Sequence, residues 1–245
     1  MNSAIHALIV TDIFGVTPST QKLAKQLSAQ YQLVSIIDPY KGIQQEFTNE
    51  VMAYQSFIAL CGHDAYQDLV SQCLIQALSQ PNNKILLIGF SAGASAVWRA
   101  IDRDSNLAIN SKINNRFLHF TGFYPSHIRH YLNMIPLCKT TFIFPRHESH
   151  FNVQTVISEL SKNTYSLCIQ TRFLHGFMNP SSVNYCVWVH NGLTKILTRF
   201  SIELSKELSK QPSNQLSKEH ALNYQRRLIS EINQVYLIQS PETSA

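Results

Sequence analysis

The stretch Lys84-Ile85-Leu86-Leu87-Ile88-Gly89-Phe90-Ser91-Ala92-Gly93-Ala94 constrains this chain more than any other, because an unbroken apolar run ends in Gly-x-Ser-x-Gly and passes at once into helix-forming residues. It reads as strand, tight turn and helix. At such a turn the serine lies in strained backbone at the carboxyl end of a buried parallel strand, and only small flanking residues let helix and strand come that close. Gly89 and Gly93 therefore have a steric reason to be there, and Ser91 would project its hydroxyl clear of both elements. Glycine accounts for only 8 of the 245 residues, well under the roughly 7% of an average protein, so two at the required offsets are hard to treat as chance. The plain alternative is an ordinary strand-to-helix connection with Ser91 as an N-cap.

A chain of 245 residues fits one α/β domain, or a core of about 200 residues with an appendage. With 44% hydrophobic and 14% charged residues it is globular, and no apolar run approaches the roughly 18 residues needed to cross a bilayer. Residues 1–10 carry no basic start and lead straight into loop residues, so they read as a first strand rather than a signal peptide. The five cysteines, Cys61, Cys73, Cys138, Cys168 and Cys186, are an odd number without CxxC spacing. That argues against a zinc site or a disulfide framework and for a reducing cytoplasm. The net charge of +5 is spread thinly, with no basic cluster, so a nucleic-acid partner is not expected. Neither a metal nor a cofactor is expected.

Taken in order, residues 4–10 read as a strand, with Thr11-Asp12-Ile13-Phe14-Gly15-Val16 as the loop at its end. A helix starts near Thr17 or Pro18, since proline suits a first turn, and Gln32 to Ile37 forms a second strand closed by Asp38-Pro39-Tyr40. Residues 45–80 read as two helical pieces broken near Cys61-Gly62. After the Ser91 turn come a helix to Arg103, a strand over 117–122, a short helix from Ser126 to Met134 and a strand over 140–144. A helix over 153–161, a strand over 166–172 and a closing helix over 183–203 complete the core. Six strands alternating with helices predict an α/β fold, a doubly wound, mostly parallel sheet with helices on both faces.

Composition shifts near Ser201, where Glu203-Leu204-Ser205-Lys206 and Glu207-Leu208-Ser209-Lys210 repeat and Gln215-Leu216-Ser217-Lys218 echoes them. The predicted organisation is a core over 1–200 and an amphipathic helical extension over 201–245, with an apolar stripe of Leu222, Leu228, Ile229, Ile232, Val235 and Tyr236. Five Lys or Arg balance five Glu in that extension. A membrane-surface helix favours a basic polar face, so the stretch suits packing on the core or on a partner, self-association included.

Reactive groups of an open parallel sheet gather at the carboxyl ends of its strands. A serine hydroxyl is a weak nucleophile at neutral pH and needs a base within hydrogen-bond reach, which in turn needs an acid to fix its tautomer. Among the histidines beyond Ser91, His175 follows the last strand in a turn-rich loop beside Gly176. His119 falls inside a strand, His190 and His220 fall on outer helices, and His147 and His150 flank an acid. His127 and His130 stand at i, i+3 without an evident third metal ligand and read as surface or pocket lining. The only carboxylates between Ser91 and His175 are Asp102, Asp104, Glu148 and Glu159. Only Glu148 lies on a strand-end loop, where a surface charge paired with Arg146 or Arg172 is its alternative role. An oxyanion would need backbone N–H donors: Ala92 supplies one, and Ile13 or Phe14 is the candidate for the second.

With these residues in view, the chain resembles the dienelactone hydrolase family of α/β-hydrolases over about residues 4–200. The likeness is carried by Asp12 to Val16, Asp38-Pro39-Tyr40, Gly89-Phe90-Ser91-Ala92-Gly93, Phe144 to Phe151, and His175-Gly176-Phe177. It implies a lidless hydrolase of an ester, lactone or similar acyl bond, with Ser91, Glu148 and His175 as triad and Ile13 and Ala92 as oxyanion donors. An acid at the position of Asp12 often contacts the nucleophile in that family. The sequence departs from the founding members, which have a cysteine in place of Ser91 and an Asp in place of Glu148. They also hold a substrate carboxylate with arginines, whereas no Arg occurs over 1–98 here and Asn179 stands where another would be. An anionic dienelactone is therefore a poor guess.

Two functions remain open on sequence alone. One is a serine hydrolase of a small acyl substrate, with Asp12, Phe14, Tyr124, Phe151 and Phe177 lining its pocket. The other is a non-catalytic binding or scaffold protein that keeps the fold.

Overall fold

A computed structural model describes residues 4–80, 83–105, 116–210, 227 and 230–232. The chain divides into two compact units, Met1–Tyr185 and Cys186–Ala245.

The first unit is built on six parallel strands: β1 (Ile5–Val10), β2 (Leu33–Ile37), β3 (Lys84–Phe90), β4 (Phe117–Phe123), β5 (Thr140–Phe144) and β6 (Ser166–Gln170). Their order across the sheet is β2-β1-β3-β4-β5-β6. Every residue of β3 is buried, as its continuous apolar run requires, whereas the edge strands β2 and β6 are only partly covered. The helices of this unit are α1 (Pro18–Ser28), α2 (Glu50–Leu60), α3 (Gly62–Ser79), α4 (Ser91–Ala100) and α5 (Val153–Leu160). Together they make the doubly wound α/β fold that the alternation of elements implies. The chain reverses direction across the sheet between β1 and β3, and the crevice at their carboxyl ends is where such sheets hold ligands.

Side-chain caps start α1, α2 and α5. Thr17 caps α1 in a reciprocal box with Thr20, and Pro18 occupies the first turn. Asn49 caps α2 through the Met52 amide, and Gly62, with φ +74, separates α2 from α3. Helix α4 is buried almost throughout because its Ser, Ala and Gly residues let it lie against the sheet. A Cβ at Gly89 would stand 2.7 Å from the Ala94 Cα. At Gly93 it would collide with the Thr11 carbonyl oxygen and lie 2.7 Å from that of Val10. These glycines are thus fixed by contact with backbone, which cannot move aside.

The loop after β1 is tied down as firmly. Tyr66 of α3 donates its hydroxyl to the carbonyls of Thr11 (2.9 Å) and Ile37 (3.2 Å), and the Tyr40 hydroxyl donates to Ile13 O at 2.6 Å. Trp98, fully buried in α4, packs edge-on to Phe142 and donates its indole N–H to Tyr131 O.

Two expected helices differ from the sequence reading. Over Ser126 to Met134 only a 3₁₀ turn forms, Ile128–His130. Its backbone is drawn into other bonds: Arg129 takes the Ser126 carbonyl, Ser95 takes the His127 amide, and Trp98 takes the Tyr131 carbonyl. The closing helix is α6 (Val187–Lys210), so the compositional shift near Ser201 falls inside one helix. Within this second unit Arg199 pairs with Glu231, and Arg227 with Glu203 at 3.0 Å. The stripe proposed over 222–236 lies outside the described residues except for Ile232, which is buried. Among the described residues no helix is long and apolar enough to cross a membrane.

Replacing Gly93 with Ala should therefore cost roughly 3 kcal/mol or more, the upper end of overpacking penalties. Gly42→Ala has open space around its Cβ and should lose only about 1 kcal/mol through its positive φ. Denaturant midpoints of the two variants measure the difference.

Candidate active site

Ser91 opens α4 with φ +47, a left-handed backbone that costs a non-glycine residue about 1–3 kcal/mol. The strain turns its hydroxyl away from both strand and helix, as the turn motif requires. The hydroxyl lies 3.0 Å from His175 Nε2, and His175 Nδ1 lies 2.6 Å from Glu148 Oε1. Glu148 is buried in the loop after β5, and His175 lies in the loop after β6. Three side chains far apart in sequence thus form one hydrogen-bonded line across the strand ends. Glu148 is buried beside the imidazole rather than exposed as a surface charge.

The His175 loop is held by its own turn chemistry. Gly176 has φ +83, its carbonyl accepts the Asn179 amide at 2.8 Å, and the Asn184 side chain donates to His175 O at 2.9 Å. Tyr124 packs against the imidazole with ring centres 4.9 Å apart, and Phe177 packs on Tyr124 at 5.0 Å. Tyr124 itself sits at φ +37 at the end of β4. Phe151, three residues beyond Glu148, lies under the Arg129 guanidinium at 5.7 Å.

Asp12 is buried and engaged on both oxygens. Oδ1 accepts the Phe14 amide at 3.0 Å and Oδ2 accepts the Asn179 side chain at 2.7 Å, so the acid links the loop after β1 to the loop after β6. This bond also takes up the Phe14 N–H, one of the two amides considered as an oxyanion donor. Ala92, in the first turn of α4, lies directly after Ser91.

Burial lowers the affinity of His175 for a proton, but the Glu148 hydrogen bond and charge, then those of Glu50 and Asp12, outweigh it and leave its pKa above the usual 6.5. Burial pushes the Asp12 carboxyl up to about 6, against the opposing bonds from Phe14 and Asn179.

Several residues at the site had no motif to mark them. Ser126 places its hydroxyl 3.4 Å from that of Ser91, on the loop after β4. The strand-end rule that singled out Glu148 would have found it. Asn184 and Ser95 hold the backbones of His175 and His127, and side-chain amides or hydroxyls of that kind carry no sequence signal. His127 stacks flat on His63, ring centres 3.8 Å apart. Among the described residues no group of three or more His, Cys, Asp or Glu is placed to hold a metal ion.

No family model matches this sequence, and no curated protein does either. Solved structures match it well. A dienelactone hydrolase-like promiscuous phosphotriesterase from metagenomic libraries aligns with TM-score 0.56 and 12% identity over 83% of this chain and 88% of its own. A Klebsiella pneumoniae protein assigned as a dienelactone hydrolase aligns with TM-score 0.52 and 11% identity over 95% of this chain and 88% of its own. The dienelactone hydrolase from Anabaena variabilis gives TM-score 0.50 and 12% identity, over 80% and 84%.

The chain has the α/β-hydrolase fold. Identities this low carry over the architecture of an α/β-hydrolase and no residue's role.

The electrostatics of the strand ends are testable on the folded protein. The His175 imidazole should titrate above 6.5 by NMR, and Glu148→Gln should bring it down. Its contribution to stability is greatest below 6.5 and is lost as pH rises through the folded-state value. For Asp12 the folded protein holds its proton more tightly than the unfolded chain, so stability falls as pH rises from 3.8 to about 6. Asp12→Asn should flatten that fall, which is on the order of 2–3 kcal/mol, in denaturation curves taken at pH 4 and 7.

Proposed function

We propose that this protein is a serine hydrolase of the dienelactone hydrolase-like type, cleaving an ester, lactone or related acyl bond through an acyl-enzyme on Ser91. The observation that supports the reading is the line Ser91 Oγ, His175 Nε2, His175 Nδ1, Glu148 Oε1, at 3.0 and 2.6 Å. Those are the distances over which a proton can pass from hydroxyl to imidazole while a carboxylate holds the ring.

In this reading Ser91 Oγ attacks the acyl carbon as its proton moves to His175 Nε2. Glu148 keeps the Nδ1 proton in place and offsets the imidazolium charge. The carbonyl oxygen becomes an oxyanion facing the Ala92 and Ile13 amides, each worth on the order of 3 kcal/mol in the transition state. Ile13 is preferred to Phe14 because Asp12 already holds the Phe14 amide, and the Tyr40 bond to Ile13 O fixes the neighbouring peptide. Collapse expels the leaving group, which takes the proton from Nε2. Water then attacks the acyl carbon, giving a proton to His175, and Ser91 Oγ leaves with that proton restored.

Tyr124 packs on the imidazole and Phe177 on Tyr124, and with Phe14 and Phe151 as the further proposed lining the bound group is partly apolar. Asp12 contributes from beneath, as a link between the two loops. The five cysteines are free thiols, which suits work in a reducing cytoplasm.

A fluorophosphonate probe should label the wild-type protein, and Ser91→Ala should abolish the labelling. Glu148→Gln should lower kcat on p-nitrophenyl esters by about 10²- to 10⁴-fold, since the imidazole loses both its tautomer control and its counter-charge. Activity should rise with pH through a value above 6.5, where His175 becomes a neutral base. Folded wild-type protein that takes no label would favour the binding-protein reading instead.

A further inference from the structure

Beside the loop after β1 lies a cavity of about 390 Å³, within the roughly 300–1,000 Å³ of small-molecule pockets. We infer that this cavity is a cation-recognising subsite of the crevice, so that the acyl bond cleaved at Ser91 belongs to a substrate carrying an ammonium group. The inference rests on the hydrolase reading for its reaction, and on the cavity alone for its ligand.

The two loops that frame the Ser91 crevice also frame the cavity. Phe14 lines it one residue beyond Ile13, and Ser181 lines it two residues beyond Asn179, the partner of Asp12. Phe14 and Phe47 meet edge to face at 6.1 Å in its wall. Gln44, Gln45 and Glu46 supply amide and carboxylate oxygens, and no lysine or arginine is among its lining residues.

The rings and the carboxylate suit a cation, while the N-terminus of α1 at Thr17 and Pro18, also in the wall, carries an opposing partial charge of about +0.5. The face of an aromatic ring attracts a positive charge, above all a weakly hydrated quaternary ammonium. Glu46 adds a charge of the right sign at the wall. The charges of Asp12 and Glu50 act on His175 in the same sense, raising its pKa. A substrate carboxylate placed here would meet Glu46 and no lysine or arginine among the lining residues. A neutral group would fit against the rings but gain nothing from the Glu46 charge.

The test compares esters that differ only in charge, on the full chain. For a cation on the acyl side, the p-nitrophenyl ester of betaine is set against p-nitrophenyl 3,3-dimethylbutanoate, each rate divided by its hydroxide-catalysed rate. For a cation on the alcohol side, acetylcholine is set against 3,3-dimethylbutyl acetate. In one of the two pairs the cationic ester should have at least a tenfold higher kcat/KM. That ratio should fall several-fold in Glu46→Gln, in Phe47→Leu and at high salt, which screens an exposed carboxylate. Equal or lower values for the cationic ester in both pairs, or a ratio that neither substitution changes, would overturn the inference.

If no ester turns over and the fluorophosphonate does not label Ser91, the hydrolase reading has failed by itself. Calorimetric titration with choline then reads the subsite directly. Saturable binding weakened by Glu46→Gln and Phe47→Leu supports it, and absence of binding overturns it.

Discussion

The close contact between Gly93 and the carbonyl oxygens of Val10 and Thr11 is the constraint on which the rest of this structure depends. It allows a buried helix to start directly on the strand ends, next to the loop that follows β1. Ser91 takes a left-handed backbone at the start of this helix, and Gly93 in its first turn lies against Val10 and Thr11. Tyr66 and Tyr40 then fix that loop from α3 and from the end of β2 through its own carbonyls. The strained serine is held because packed elements on either side leave it no other conformation, which is the usual way strain persists at a reactive position.

Around this point the buried charged side chains at the carboxyl ends of the strands are carboxylates. Glu148 and Asp12 are both buried, and their charges, with that of Glu50, act together on His175. A buried carboxylate is costly unless it is hydrogen-bonded. Glu148 meets the cost with the imidazole and Asp12 with the Phe14 amide and the Asn179 side chain. The arrangement holds His175 by Glu148 while Asp12 ties the His175 loop to the loop after β1. Both loops border the cavity walled by Phe14 and Phe47.

Much of this was legible from residues. The strands were readable because each is a short apolar run between turn residues, and β3 was the clearest since both of its faces are buried. Glu148 emerged by elimination, the only carboxylate between Ser91 and His175 on a strand-end loop, and the structure brings it to the imidazole. The segment Ser126 to Met134 misled because its helical spacing is real, while its backbone groups are claimed by Arg129, Ser95 and Trp98 from elsewhere. Asn179 had significance only as a missing arginine. Its bond to Asp12 spans 167 residues, and no local pattern encodes such a partner.

The sequence by itself determined the order of elements, the parallel sheet and the strained serine turn, because hydrophobic period, turn residues and glycine sterics act over a few neighbouring positions. Only the tertiary structure decided which amide Asp12 occupies, which hydroxyl stands beside Ser91, and where a cavity opens behind Phe14. Those outcomes depend on ångström-scale distances between loops carried by different strands. Sheet order and packing set these distances, and the identity of adjacent residues does not.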